Sequence, residues 1–295
     1  MNNEKKPKRV TVPEILARKQ SKQKITTITA YDYTFARLLD EAGIDVILIG
    51  DSLSSVIQGH SNTLPVTVDE IIYHSKCVTA GVERAFCLAD MPFLSYQLSK
   101  EKAVEAAGRL LKEGGVSAVK LEGGVQVAET IRHITGFDIP VMGHVGLTPQ
   151  SYHRMGGHKV QGRNHDQDQK AGSYEKVLKD AIAVEEAGAF ALVIECVPDD
   201  LAAEITRTLR IPTIGIGAGK DCDGQVLVMH DMLGLEDRRK PKFVKRYADL
   251  GALVKQATEQ YIKDVQESIY PGEEHTFKEE APDKSLHVKT KLTLV

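Results

Sequence analysis

Apolar runs recur along this chain, each preceded by a helical period and a glycine and each ended by an acidic residue. Glu41-Ala42-Gly43 ends one helical pattern, Val46-Ile47-Leu48-Ile49 follows as a strand, and Gly50-Asp51-Ser52 closes it. Glu113-Gly114-Gly115 leads in the same order through a strand to Glu122, and Glu186-Ala187-Gly188 leads through Ala191-Leu192-Val193-Ile194 to Glu195. A glycine at a helix C-cap, followed seven or eight residues later by a carboxylate at the far end of a strand, is a βα repeat whose carboxylates share one rim.

Continued along the chain, the pattern predicts strands over 25–30, 46–49, 85–89, 118–122, 139–144, 191–195, 212–216 and 225–229. Helices are expected between them over 33–42, from near 69, and over 100–112, 125–134, 174–187 and 200–209, with later helical signals at 242–247 and 250–267. The fold class is α/β: a (β/α)8 barrel with an N-terminal capping helix and a C-terminal helical extension. Thr11-Val12-Pro13-Glu14 is a capping box with an early proline, so the first helix should cover the barrel floor. The expected layout is a flexible arm over 1–10, one catalytic barrel over 11–277 and a disordered tail over 278–295. In that tail, alternating Val288, Leu292 and Leu294 keep an added edge strand open. The connections 53–67 and 145–172 are long for a barrel, the first a lid candidate and the second, dense in glycine and polar donors, a second mobile wall.

Composition narrows the function classes. With 295 residues, 42% of them hydrophobic, one large core fits, and a net charge of −3 offers no field attractive to nucleic acid. No apolar run approaches a membrane span, and the Lys-rich start lacks the apolar core of a secretory signal. Cys77, Cys87, Cys196 and Cys222 show no CxxC spacing, and Cys87 and Cys196 lie in apolar strand patterns. Buried thiols in a reducing compartment, the cytoplasm, are the expectation.

The chemistry lies on the rim. In Ala118-Val119-Lys120-Leu121-Glu122, two charges spaced two apart face the same side of a buried strand, which is costly unless that side looks into a site. Asp51, Asp90 and Glu122 end neighbouring strands, and three converging carboxylates repel unless a hard cation such as Mg²⁺ sits among them. Each alone could instead cap a helix or pair with a lysine. Lys120 could bind a substrate carboxylate or carbonyl oxygen, or form an ion pair with Glu122 or Asp90. Glu195, flanked by Ile194, Cys196 and Val197, suits a general base taking a proton from carbon, with a cap or salt bridge as the alternative. His144 ends the fifth strand, to touch substrate or to sit satisfied in the core. Gly215-Ile216-Gly217-Ala218-Gly219 lacks the dinucleotide spacing and is expected to be a tight loop close to a ligand.

Several long strings point further. Gly50-Asp51-Ser52, Gln58-Gly59-His60 with Leu64-Pro65-Val66-Thr67, Ala89-Asp90-Met91-Pro92-Phe93, the run 119–124, Gly143-His144-Val145-Gly146-Leu147-Thr148-Pro149-Gln150, the run 159–163, Glu195-Cys196-Val197-Pro198, the run 215–219 and the run 270–275 together resemble the ketopantoate hydroxymethyltransferase family. The resemblance spans about residues 10–277. It implies a pantothenate-pathway enzyme moving a one-carbon unit from 5,10-methylenetetrahydrofolate to 3-methyl-2-oxobutanoate, in a barrel assembled into homo-oligomers, commonly decamers. It further implies Mg²⁺ at Asp51, Asp90 and Glu122, oxo-acid contacts from Ser52, Asp90 and Lys120, and Glu195 as proton acceptor. The chain departs from the family at Ser151-Tyr152-His153-Arg154-Met155, which is not a distinctive family string, and in a tail that runs past the usual end. Two rival readings use the same residues: a Mg²⁺-dependent 2-oxo acid lyase of the isocitrate lyase and phosphoenolpyruvate mutase kind, and a non-catalytic oxo-acid sensor.

Overall fold

A computed structural model describes residues 8–165, 172–235 and 241–278. Eight parallel strands close into a barrel in sequence order: β1 (Ile25–Thr29), β2 (Val46–Ile49), β3 (Phe86–Asp90), β4 (Ala118–Glu122), β5 (Val141–Gly146), β6 (Ala191–Glu195), β7 (Thr213–Ile216) and β8 (Gly224–Leu227). β2, β3 and β4 are buried at every position, as strands covered on both faces must be. Alternation then divides the core. Leu48, Phe86, Leu88, Ala118, Met142, Ala191, Val193 and Ile214 fill the barrel, while Ile47, Ile49, Cys87, Val119, Leu121 and Leu192 face the helices.

Helix α1 (Val12–Ser21) carries the expected capping box. Its Ile15 joins the cluster inside the barrel, and Arg18 and Lys19 reach Asp45 and Asp223, just before β2 and β8, both at 2.7 Å. The floor is thus closed by apolar contact and two ion pairs. Outside the strands lie α2 (Tyr33–Glu41), α3 (Leu53–Val56), α4 (Val68–Ala80), α5 (Lys100–Gly114), α6 (Ala128–Thr135), α7 (Tyr152–Met155), α8 (Tyr174–Glu186), α9 (Asp199–Thr208) and α10 (Met229–Leu233). The glycines read as helix stops do that work: Gly43, Gly115 and Gly188 have φ of +87°, +75° and +97°.

Several expectations need correction. No helix forms over 242–247, where Pro241 and a run of turns interrupt the period. The expected helix over 125–134 begins as a 3₁₀ turn, Val125–Val127, before α6. The strand expected over 225–229 ends at Leu227, because Met229 opens α10. Cys87 is buried as expected, whereas Cys196 is only half-buried and lies just beyond β6; all four cysteines are free.

The chain divides into two compact units, 1–248 and 249–295. The eight strands of the barrel all lie in the first unit. The second unit carries α11 (Leu250–Gln266), which has no buried residue of its own. Of the arm expected over 1–10, residues 1–7 lie outside the described residues, while Val10 is buried and donates to the Arg84 carbonyl at 2.8 Å; of the tail expected over 278–295, residues 279–295, with Val288, Leu292 and Leu294, lie outside them.

Candidate active site

Strand alternation explains how the rim is built. Phe86, Leu88 and Asp90 share the inner face of β3, as do Ala118, Lys120 and Glu122 on β4, Met142 and His144 on β5, and Ala191, Val193 and Glu195 on β6. Parallel register sets Asp90 beside Lys120 and Glu122 beside His144. These side chains line one chamber of about 110 Å³, together with Asp51 and Ser52 from the turn after β2. All seven residues singled out in the sequence meet there.

Its electrostatics are lopsided. Lys120 Nζ lies 2.7 Å from Asp90 Oδ1, both side chains being 5% exposed, and 3.4 Å from His144 Nδ1. Burial opposes its charge, but Asp90, Glu122 and Asp51 outweigh burial and hold its pKa above the usual lysine value. One ammonium faces four carboxylates. Burial, then the charge of Asp90, pushes Asp51 up to about 7, and burial with Asp51 lifts Glu122 well above the ordinary range. Burial, then Lys120, lowers His144, which is therefore neutral. With Nδ1 accepting from Lys120, its proton sits on Nε2, facing Glu195 Oε2 at 3.1 Å. Asp90 Oδ1 and His144 Nε2 are buried with the 2.7 Å and 3.1 Å contacts as their polar neighbours, neither aligned as a hydrogen bond. Buried polar atoms so thinly satisfied beside a cavity suit a polar ligand.

The excess negative charge and the all-oxygen donor set fit a hard divalent cation. Among the described residues, however, no three His, Cys, Asp or Glu side chains converge in ligating geometry. Asp51 Oδ2 accepts from Gln150 Nε2 at 2.9 Å, Asp90 Oδ2 from the Asp51 amide at 2.9 Å and Glu122 Oε2 from the Gln150 amide at 3.0 Å. The three carboxylates expected as ligands line this one chamber, and Mg²⁺ takes only one or two carboxylates directly, with water and substrate completing its shell.

Sequence reasoning missed Gln150, which ties Asp51 and Glu122 together and accepts from Tyr96 Oη at 2.7 Å. It also missed Thr63, brought into the chamber by the connection marked as a lid, and Tyr31, whose hydroxyl lies 2.8 Å from Ser52 Oγ. Tyr31 follows β1 where Asp51 follows β2, so its rim position was a signal. The glycine string 215–219 lines neither this chamber nor the larger cavity beside it, apart from Ile216. Its glycines serve close packing instead: a Cβ on Gly217 or Gly219 would stand 2.8 Å from Phe243 or 2.6 Å from Asp199.

A family model for ketopantoate hydroxymethyltransferase matches residues 9–273. The chain belongs to the ketopantoate hydroxymethyltransferase family. Curated relatives agree. It is 57% identical over 270 residues to the 3-methyl-2-oxobutanoate hydroxymethyltransferase of Trichlorobacter lovleyi, covering 92% of this chain and 99% of that one. Against the same enzyme of Pelobacter propionicus the identity is 54%, covering 92% and 98%. Among solved structures, this chain is similar to a phosphonopyruvate hydrolase complexed with oxalate and Mg²⁺ (TM-score 0.57, 13% identity, 90% and 93% covered). It is similar also to 2,3-dimethylmalate lyase, a phosphoenolpyruvate mutase/isocitrate lyase superfamily member (TM-score 0.57, 15% identity, 92% and 91% covered). At such identities these likenesses establish the barrel fold alone.

Proposed function

We propose that this chain transfers a hydroxymethyl group from 5,10-methylenetetrahydrofolate to 3-methyl-2-oxobutanoate, forming ketopantoate. The observation that carries this reading is the chamber of about 110 Å³, in which one buried ammonium, four carboxylates and a neutral imidazole face an apolar wall. Lys120 supplies the fixed positive charge for the oxo acid's carboxylate or 2-oxo oxygen, and Ser52, braced by Tyr31, a hydroxyl contact. Asp51 and Asp90 would hold Mg²⁺, with Glu122 adding to the negative field. Bound there, the ion supplies Lewis-acid polarisation of the 2-oxo group.

Glu195 then accepts the proton from C3. His144 Nε2 faces that carboxylate from 3.1 Å and, being neutral, does not neutralise it. Leu48, Val193, Ile216 and Val226 supply the apolar lining for the branched end of the substrate and exclude water from C3. The electron pair freed at C3 bonds to the donor's methylene carbon as one of its two C–N bonds opens. Water then displaces the second nitrogen to leave the hydroxymethyl group, and tetrahydrofolate departs with the C3 proton and the proton released by water on its two nitrogens. A cytoplasmic homo-oligomer, a decamer by family resemblance, belongs to the same proposal; exposed Val254, Tyr261 and Val265 on α11 supply apolar surface suited to a second copy.

The test is product formation. Purified protein with Mg²⁺, 3-methyl-2-oxobutanoate and methylenetetrahydrofolate should yield ketopantoate, and only when the donor is present. Cleavage of a 2-oxo acid without any folate requirement would favour a lyase, and saturable oxo-acid binding without turnover would favour a sensor.

A further inference from the structure

Beside the chamber lies a larger cavity of about 450 Å³. We propose that it seats the folate one-carbon donor, an inference that rests on the hydroxymethyl transfer proposed above. The chamber, at about 110 Å³, suits a small oxo acid, whereas a pterin with its aminobenzoyl-glutamate needs a cleft in the roughly 300–1,000 Å³ range of larger ligands. The two cavities meet at Glu122, which lines both, across the turn Thr148-Pro149-Gln150. A ligand in the larger one therefore ends next to the oxo acid, where its methylene carbon is needed.

The lining matches the donor's chemistry. Phe93, Val127 and Met155 offer apolar surface for a flat ring. Asp180 is positioned beside them: its Oδ1 accepts from the Val125 amide at 2.8 Å and from Lys176, while Oδ2 makes no hydrogen bond among the described residues. A Cβ on Gly124 would stand 2.1 Å from the Asp180 side chain, so glycine there lets that carboxylate pack against the backbone in one place. The pterin edge presents an N3–H and a 2-amino group, two donors side by side, which a carboxylate accepts. Thr148 also lines the cavity, and its Oγ1 is buried without a hydrogen-bond partner. Arg154, exposed on α7, supplies a cation for the glutamate carboxylates.

The chain has no tryptophan, so Phe93→Trp places a single reporter in this cavity. Tetrahydrofolate should quench it saturably. In that background Asp180→Asn and Arg154→Ala should each raise the tetrahydrofolate dissociation constant about 10- to 100-fold, the range of a lost charge-assisted hydrogen bond. In the otherwise unaltered enzyme the same substitutions should raise KM for the methylene donor far more than KM for the oxo acid. Calorimetric titration of wild type and Arg154→Ala with tetrahydrofolate gives the same comparison if the reporter variant does not fold. Unchanged tetrahydrofolate affinity in both variants overturns the assignment. Failure of the wild type to form ketopantoate overturns instead the hydroxymethyl-transfer reading, so the two failures are separable.

Discussion

Asp51→Asn should make the metal-free protein more stable at neutral pH. Asp51 is 4% exposed, and its carboxyl is pushed from 3.8 up to about 7 by burial and by Asp90. Because its folded pKa is raised, the native state binds this proton more tightly than the unfolded chain does. The resulting stabilisation is complete below about pH 3.8 and is lost as pH rises through about 7. Each pH unit in that window is worth about 1.4 kcal/mol, so ionising Asp51 in the folded state costs about 4 kcal/mol at pH 8 relative to a neutral isostere. Asparagine keeps an oxygen for Gln150 Nε2, which donates to Asp51 Oδ2 at 2.9 Å, and removes the charge. In chelator, urea unfolding at pH 8 should show Asp51→Asn ahead of wild type by a few kcal/mol, with the gap closing toward pH 4. Added Mg²⁺ should then favour wild type, because only the carboxylate gains from ion binding. A variant less stable than wild type at pH 8 in chelator, or a gap that ignores pH, would refute the picture of an under-compensated carboxylate cluster.

Other parts of the molecule make separate predictions. Lys120→Met leaves Asp90 buried without its ammonium at 2.7 Å, so it should cost about 3–5 kcal/mol in chemical denaturation and abolish calorimetric binding of the oxo acid; unchanged affinity would reduce Lys120 to a structural ion pair. Gln150→Ala removes the amide that donates to Asp51 Oδ2, and should weaken Mg²⁺-dependent oxo-acid binding about tenfold in calorimetry, whereas an unaltered titration would make that amide irrelevant to the site. On the floor, burial works against the charge on Asp45, yet hydrogen bonds from Arg18, Thr26 and Arg84 bring its carboxyl down to about 2. Its contribution is present above about pH 3.8 and lost as pH falls through about 2, so in urea unfolding Asp45→Asn should cost at least about 2 kcal/mol at pH 7 and less at pH 3.

Lys120 and Glu122 were legible because strand periodicity alone fixes which side chains share a face, and Glu195 because its repeat copies theirs. The acidic strand ends were legible for the same reason: a barrel brings its strand ends to one rim whatever the loops do. Gln150 was not, since its partner Asp51 lies 99 residues away and the intervening connection shows no period from which its course could be read. How the three rim carboxylates are oriented is likewise beyond what strand order determines. Order makes the strands neighbours, but rotamers and competing donors such as Gln150 decide where each oxygen points. The glycine string 215–219 was ambiguous in sequence, because close backbone packing and ligand approach leave the same mark there; its Ile216 lines the chamber while its glycines meet neighbouring side chains. At residues 242–247 the helical period was present, but the local turn chemistry prevailed.

Solvent exchange at C3 of 3-methyl-2-oxobutanoate, followed by NMR in deuterated buffer with Mg²⁺ and without folate, tests the central claim most directly. Proton removal precedes carbon transfer in this account, so the wild-type protein should catalyse exchange with no donor present. Glu195→Gln keeps size and shape but cannot accept the proton. It should lower the exchange rate about 10²- to 10⁴-fold, the usual worth of a general base, while oxo-acid binding survives. Exchange at the wild-type rate in Glu195→Gln would show that another group takes the proton, and His144, 3.1 Å from Glu195, would be the next residue to replace.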